Sequence, residues 1–382
     1  MRVRKLQEKI FLYSKKGNRS KVHQYQKLLV ESKSGKLLAV RKVTQDNRGK
    51  NTAGVDGVKS VPPGSRLALS RAKDLKLNGK TDNILRVYIP KSGTNERRPL
   101  GIGIGIPTMR DRAKQALAKL ALEPEWEALF EQNSYGFRPG RNCPRRIAVE
   151  AILISQSREG KFVLDADIRK CFDRIDHAAL IKKLNTWPQL ERQIYSWLKA
   201  GILDGEILSS PVALGVISPL LCNIALHGME KHLSQWVSEL KLKDSKGRPL
   251  SRRDKVASLT IVRYADDLVV LHKQKWIVES AREKLSLWLG ELGLELKPEK
   301  TRIGHTTNPV EGKVGFDFLG FNVRKYSVKV HHRGKLHLPE KTFIKPSTSY
   351  IKEHADSIRR ELRKCTSAEI VVAKLTPVIR EW

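Results

Sequence analysis

The chain has 382 residues, 40% of them hydrophobic and seven of them Trp, enough to bury a sizeable core in two or three packed units. Its 73 Lys and Arg against 40 Asp and Glu give a formal net charge of +33, a self-repulsion that a polyanion such as nucleic acid relieves. No run of 18 apolar residues occurs, so no membrane span and no membrane partner is expected.

Positive charge is concentrated at the start, where residues 1–50 carry fifteen Lys or Arg and three acids. Residues 1–40 read as basic helix with apolar residues on one face. The opening Met-Arg-Val-Arg-Lys stretch also has the look of a transit peptide, but the helical reading fits it better. Residues 51–64 are turn-rich. Leu85–Pro90 reads as a strand followed by a basic loop from Lys91 to Arg98. Arg110–Phe130 reads as a helix that Pro124 breaks or kinks. Lys161–Asp167 is a strand ending in acids. From Ser218-Pro219 a single helix is expected to run to about Leu240, with Ser218 as its cap. Val278–Leu292 is an amphipathic helix that packs back on a sheet. The mixture predicts an α+β fold with helices on one face of a mostly antiparallel sheet.

Cys143, Cys171, Cys222 and Cys365 form no Cys-x-x-Cys pair. That argues against a zinc module or a disulfide framework and fits a reducing compartment. His331-His332 lacks Cys partners and reads as a strand or loop end.

Two acidic clusters carry chemistry. Tyr264-Ala265-Asp266-Asp267 lies within the apolar stretch Leu259–Leu271, which predicts a strand, a tight turn holding the acids, and a second strand. Aspartate suits turns in any case, but paired anions between buried strands call for a counter-charge, and a divalent metal is the natural one. The other cluster, Leu164–Asp173, places Asp165 and Asp167 on one strand face by alternation. If the fold unites these segments, three carboxylates can serve a two-metal phosphoryl-transfer site. Asp173 and Asp176 read as local caps or ion pairs.

The chain resembles group II intron-encoded reverse transcriptases, whose members also serve as splicing maturases. The resemblance rests on an ordered series. It includes Ala53–Gly57, Tyr88–Lys91, Arg98–Gly101, Ile106–Arg112, Asn133–Arg141, Ala166–Asp173, Gly215–Leu221, the Tyr-Ala-Asp-Asp box, Gly293–Thr301 and Phe318–Phe321. It implies a right-hand polymerase of fingers, palm and thumb with an antiparallel palm sheet. The expected layout is a helical extension over 1–40, fingers over 41–158, palm over 159–342 and a partial helical thumb over 343–382.

By the same resemblance Asp167, Asp266 and Asp267 are the catalytic, metal-binding triad for two Mg2+ ions, with Mn2+ as a substitute. Phe172 matches the bulky residue under the incoming sugar that favours deoxynucleotides, although alone it reads equally as a core aromatic. Lys91 and Arg98 match cations that grip the triphosphate; in isolation they are a solvated basic loop. Lys300 matches a lysine near the leaving pyrophosphate. The implied partners are intron RNA, a DNA or RNA primer and dNTPs, in a bacterial cytoplasm or an organelle matrix.

Three departures from the family pattern stand out. Ser210–Gly215 lacks the Pro-Gln-Gly element that touches the template, so the alternative function is a catalysis-impaired splicing maturase. Gly101–Pro107 repeats Gly-Ile where one copy is usual; it reads as a flexible insertion and not as a phosphate-cradling loop. The chain stops within the thumb pattern at Leu375–Trp382, without the DNA-binding and His-Asn-His endonuclease regions.

Overall fold

The computed structural model describes residues 2–47, 52–71, 75–85, 88–90, 97–99, 105–140, 152, 160–204, 207–209, 215–327, 330–332, 335–337 and 340–381. The basic start forms α1 (Arg2–Lys15), α2 (Arg19–Glu31) and α3 (Lys33–Arg41). Side-chain caps set their starts: Asn18 accepts from Lys21 N–H at 3.1 Å, and Ser32 accepts from Gly35 N–H at 3.0 Å. The apolar stripe Val3, Ile10, Val22, Leu29, Ala39 and Val40 is buried, while Lys and Arg cover the outside. After the short α4 (Pro63–Arg71), these helices pack on α5 (Met109–Glu127), which is buried along most of its length.

Pro124 does not break α5, as the sequence suggested it could. A helical proline leaves the carbonyl four residues back without its donor. That carbonyl, on Leu120, accepts instead from Gln7 Nε2 of α1 at 3.0 Å. One residue on, Glu125 is buried among α1 and α2: its carbonyl accepts from Ser14 Oγ at 2.9 Å, and its Oε2 accepts from Gln26 Nε2 at 2.6 Å. The proline is tolerated because the neighbouring helix supplies the missing donor.

The strands run in chain order as β1 (Ile84–Leu85), β2 (Tyr88–Pro90), β3 (Arg97–Pro99), β4 (Ser134–Tyr135), β5 (Phe162–Asp167), β6 (Ile202–Asp204), β7 (Ile207–Ser209), β8 (Thr260–Tyr264), β9 (Asp267–His272), β10 (Arg302–His305), β11 (Phe316–Phe318), β12 (Phe321–Ser327), β13 (Val330–His332), β14 (Lys335–His337) and β15 (Glu340–Pro346). The central sheet has the order β10-β5-β9-β8-β4. Four of its strands are antiparallel, but β4 pairs parallel with β8, so the sheet is mixed where an antiparallel one was expected. The segment around β4 covers the outer edge of the hairpin, where Asn133 and Tyr135 carbonyls accept from Arg263 and Ala265 N–H.

Strand alternation divides the sheet's two faces. Leu164, Ala166, Leu268 and Val270 join the main core with α12 (Lys275–Gly290). Val163, Val262, Val269 and Leu271 join a smaller core with Phe316, Phe318 and Val323. Helices thus cover one face and strands the other, as the pattern predicted.

Between them lie α6 (Cys171–Arg174), α7 (His177–Leu184), α8 (Pro188–Leu198), α9 (Ser218–Leu226), α10 (Met229–Glu239) and α11 (Arg252–Ser258). Asp176 caps α7 by accepting from Ala179 N–H at 2.7 Å, as its spacing suggested. The single helix expected from Ser218 to Leu240 is two helices. Gly228, with φ of 96°, turns the chain between α9 and α10. Ser218 is the first residue of α9, and Ile217 takes the cap position. The helical end of the chain, α13 (Thr348–Leu362) and α14 (Ala368–Glu381), begins after β15 and is capped by Ser347.

Burial pushes the Glu125 carboxyl up to about 7, against the hydrogen bond from Gln26 that favours its charge. The folded state therefore prefers the protonated acid. Its stabilising effect is complete below about pH 4.5, the unfolded value, and is lost as pH rises through about 7. Unfolding free energies from urea titrations between pH 4.5 and 8 should fall with pH by up to about 3 kcal/mol less in Glu125→Gln than in the unaltered chain.

Candidate active site

β8 and β9 pair so that Tyr264 lies opposite Asp267, leaving only Ala265 and Asp266 to make the turn. Such two-residue turns need positive φ at the first position, and Ala265 takes it at 56°. The register across the sheet sets Asp267 opposite Asp167 at the end of β5. Ile168 N–H donates to the Asp266 carbonyl at 3.2 Å and ties the two strand ends together. Acids about a hundred residues apart in sequence thus meet at one rim of the sheet. Asp165, Asp167 and Asp267 share the face turned away from α12, by the same alternation that sorts the two cores.

The local electrostatics are those of crowded anions. Burial, then the charges of Asp266 and Asp167, push the Asp267 carboxyl up to about 7. Burial raises Asp266 as well, with Asp167 adding to it. Asp165 is pushed up to about 6 by burial, although Arg302 Nε lies 3.1 Å from its Oδ2.

Lys300, on the short turn Pro298–Lys300, places Nζ 2.5 Å from Asp167 Oδ2. Burial works to lower the Lys300 pKa, but that hydrogen bond and the three carboxylates hold it above the usual lysine value. Lys297 N–H anchors this turn by donating to the Asp167 carbonyl at 2.8 Å.

A cleft of about 420 Å³ opens beside Asp167 and Asp266, with Arg169, Lys170, Arg174 and Lys297 in its walls. Arg169 donates to Glu295 at 3.1 Å and to Glu299 at 3.4 Å, and Arg174 donates to the same Glu295. The cleft combines carboxylates with a fringe of cations, a surface that suits a metal-associated polyphosphate.

The donor set fits a hard divalent cation, because it is all carboxylate oxygen and, among the described residues, Lys300 is the cation in hydrogen-bond contact with it. Among the described residues no three acidic, His or Cys groups enclose an ion by themselves. A hard divalent ion can be held by one or two carboxylates and complete its shell with water and substrate phosphate.

Of the other residues singled out by sequence, Phe172 is half-buried in α6 against the main core. Arg98 stands in β3, paired with Ile89 of β2, while Lys91 lies outside the described residues. Residues 101–104 and 210–214, which carry most of the two internal departures from the family pattern, also lie outside them. Sequence reasoning missed Arg169, Arg174 and Lys297 in the cleft wall. It also missed Arg263 beneath the turn, although a lone cation inside the apolar stretch Leu259–Leu271 was the available signal.

A mixed-sheet rim bearing three aspartates beside a cationic cleft suits metal-dependent nucleotidyl transfer. Residues 89–323 match the family described as reverse transcriptase (RNA-dependent DNA polymerase), and residues 1–72 match the N-terminal domain of reverse transcriptase. Among similar proteins, YkfC of Escherichia coli is 34% identical over 319 residues, covering 76% of this chain and 81% of that protein. The group II intron-encoded protein LtrA of Lactococcus lactis is 30% identical over 314 residues, 66% of this chain and 49% of LtrA. Maturase-like protein 1 of Euglena gracilis is 27% identical across 99% of this chain and 73% of that protein. The chain belongs to the reverse transcriptase family, and its resemblance to the group II intron-encoded members holds.

Because a divalent cation relieves the carboxylate repulsion, Mg2+ at about 100 times its dissociation constant should stabilise the fold by about 2.7 kcal/mol. Thermal unfolding with and without Mg2+ checks this. The increment should vanish in Asp266→Asn, and an equal increment in both proteins would place the ion elsewhere.

Proposed function

We propose that the chain is an RNA-directed DNA polymerase of the group II intron type, which joins dNTPs to a primer 3′-hydroxyl on an RNA template. The observation that carries this is the register that sets Asp167 opposite Asp267 with Asp266 at the turn between them. In this reading residues 1–40 are a helical extension, 41–158 fingers, 159–342 palm and 343–382 the start of a thumb. The helical part of that last unit follows β15, which runs on to Pro346.

Asp167, Asp266 and Asp267 would hold two Mg2+ ions, with Mn2+ as a substitute. The ions, when bound, supply a lowered 3′-hydroxyl pKa and charge stabilisation for the leaving pyrophosphate. The chain's own residues do the rest. The paired strand ends fix the carboxylates within one rim, so the hydroxyl and the α-phosphate meet in a set geometry. Lys300, which donates to Asp167, would meet pyrophosphate charge as it develops. Lys91 and Arg98 would grip the triphosphate from the fingers, and the cleft cations Arg169, Lys170 and Arg174 flank its path. Phe172 would stand where a ribose 2′-hydroxyl collides with its ring, which favours deoxynucleotides. Free thiols at Cys171 and Cys222, with sulfurs 3.3 Å apart, suit a reducing cytoplasm or organelle matrix.

A second role, holding intron RNA in its active fold as a splicing maturase, is favoured by the basic helical layer α1–α3. Its outward Lys and Arg lie on elements other than those carrying the carboxylates. Both roles imply binding that weakens steeply with salt, since Lys and Arg displace condensed counterions.

Extension of a primed RNA template with dNTPs and Mg2+ should be readily detected, and Asp266→Asn should reduce it by at least about a thousandfold. Equal product from the two proteins would sink the polymerase reading. Intron splicing assayed with Asp266→Asn separates the roles: splicing retained without extension assigns RNA holding to the chain, and splicing lost with extension denies it.

A further inference from the structure

Arg263 lies in β8 between Val262 and Tyr264 and is only 3% exposed. Its Nη1 donates to the Ala265 carbonyl at 2.9 Å and to Asn223 Oδ1 at 3.1 Å, and its Nη2 donates to Ser134 Oγ at 2.5 Å. Asn223, from α9, donates in turn from Nδ2 to the Gly136 carbonyl at 2.9 Å. Gly136 follows β4 with φ of 86°, and a Cβ there would fall 2.8 Å from the Ala265 nitrogen. The circuit closes where Ala265 N–H donates to the Tyr135 carbonyl at 3.2 Å.

Three segments distant in sequence thus meet on the residue that precedes Asp266. Among the described residues all three acceptors of the guanidinium are neutral and no carboxylate pairs with it directly, so its burial is offset only by the more distant charges of Glu131, Glu230 and Asp266. Removing a charge from water without a counter-ion is expensive, and an apolar side chain would fill the strand at lower cost. What the guanidinium adds is geometry. A planar fork reaches a backbone carbonyl, an amide oxygen and a hydroxyl in fixed directions, which an ammonium on a flexible stem does not. The turn it holds contains an alanine at positive φ, a conformation that L-residues adopt only when their surroundings enforce it.

We propose that Arg263 is a positioning residue for the metal-binding hairpin: through the Ala265 carbonyl, with Asn223 and Ser134 as its braces, it fixes Asp266 beside Asp167. This deepens the polymerase reading and rests on its assignment of Asp167 and Asp266 as ligands of a divalent ion.

The test compares Arg263→Lys, which keeps the charge and loses the fork, with Ser134→Ala, which removes one brace. Four properties are measured on the full chain: thermal unfolding, binding of primed RNA, Mn2+ binding by electron paramagnetic resonance, and the kcat and KM of extension. Arg263→Lys should unfold cooperatively and bind primed RNA within about twofold of the unaltered chain, while Mn2+ affinity and kcat fall about 10- to 100-fold. Ser134→Ala should lose about threefold in the same two properties.

Unaltered Mn2+ affinity and kcat in Arg263→Lys overturn the proposal. So do parallel losses in melting, RNA binding and Mn2+ binding, which would reduce the arginine to general support of the core. If Arg263→Lys does not fold, Ser134→Ala decides: weaker Mn2+ binding with normal melting supports the role, and unchanged binding overturns it. Absence of extension in the unaltered chain, with Mn2+ binding still weakened in Arg263→Lys, would defeat the polymerase reading and leave the positioning role standing.

Discussion

Carboxylates held close together at the rim of a largely buried sheet set the terms for everything around them. Burial disfavours their charge and mutual repulsion adds to it, so the Asp267 carboxyl is pushed up to about 7 and Asp266 above its usual range. Such a site persists only if the backbone beneath it is held by something other than the charges themselves. The β5–β9 register, the Ile168–Asp266 hydrogen bond and the Lys297 anchor on Asp167 provide that hold from the sheet side. Arg263, Asn223 and Gly136 provide it from beneath the turn. The site is a crowded group of three anions on a stiff frame, and the stiffness keeps that crowding available to a metal.

The charge of the whole chain answers a different demand. An excess of +33 does nothing for three aspartates at one rim, which have Lys300 as their close cation. Most of the excess is spread outward, beginning with the helical layer α1–α3, whose apolar stripe is spent on α5. A long, repeating polyanion can engage that outward charge across many weak contacts, while the rim engages a small and specific one. The two surfaces recognise phosphate at different scales.

Much of this was legible in the sequence because the signals were local. The apolar flanks of Tyr264–Asp267 specify a hairpin, alternation puts Asp165 and Asp167 on one face, and Asp176 has the spacing of a cap. The errors share a physical cause, which is dependence on partners far along the chain. Pro124 reads as a break until Gln7 is seen to serve the Leu120 carbonyl. The parallel pairing of β4 depends on the free edge of β8, and no pattern in Ser134-Tyr135 announces it. Arg263 was passed over because two of its three acceptors lie on β4 and α9, far along the chain. Gly228 is the exception, since a glycine inside an otherwise continuous helical pattern was a local warning.

The donor that Gln7 lends to α5 has a consequence for how the chain is made. Gln7 and Leu120 are 113 residues apart, so the first helices leave the ribosome long before the surface that buries their apolar stripe exists. During that interval α1 and α2 are basic, amphipathic and unprotected, and α5 cannot close properly over Pro124 until they arrive. The amino-terminal layer and the proline are therefore a matched pair: a chain trimmed of its first helix inherits a defect in the middle of α5. Synthesis order makes the earliest segment wait for the helix on which it packs.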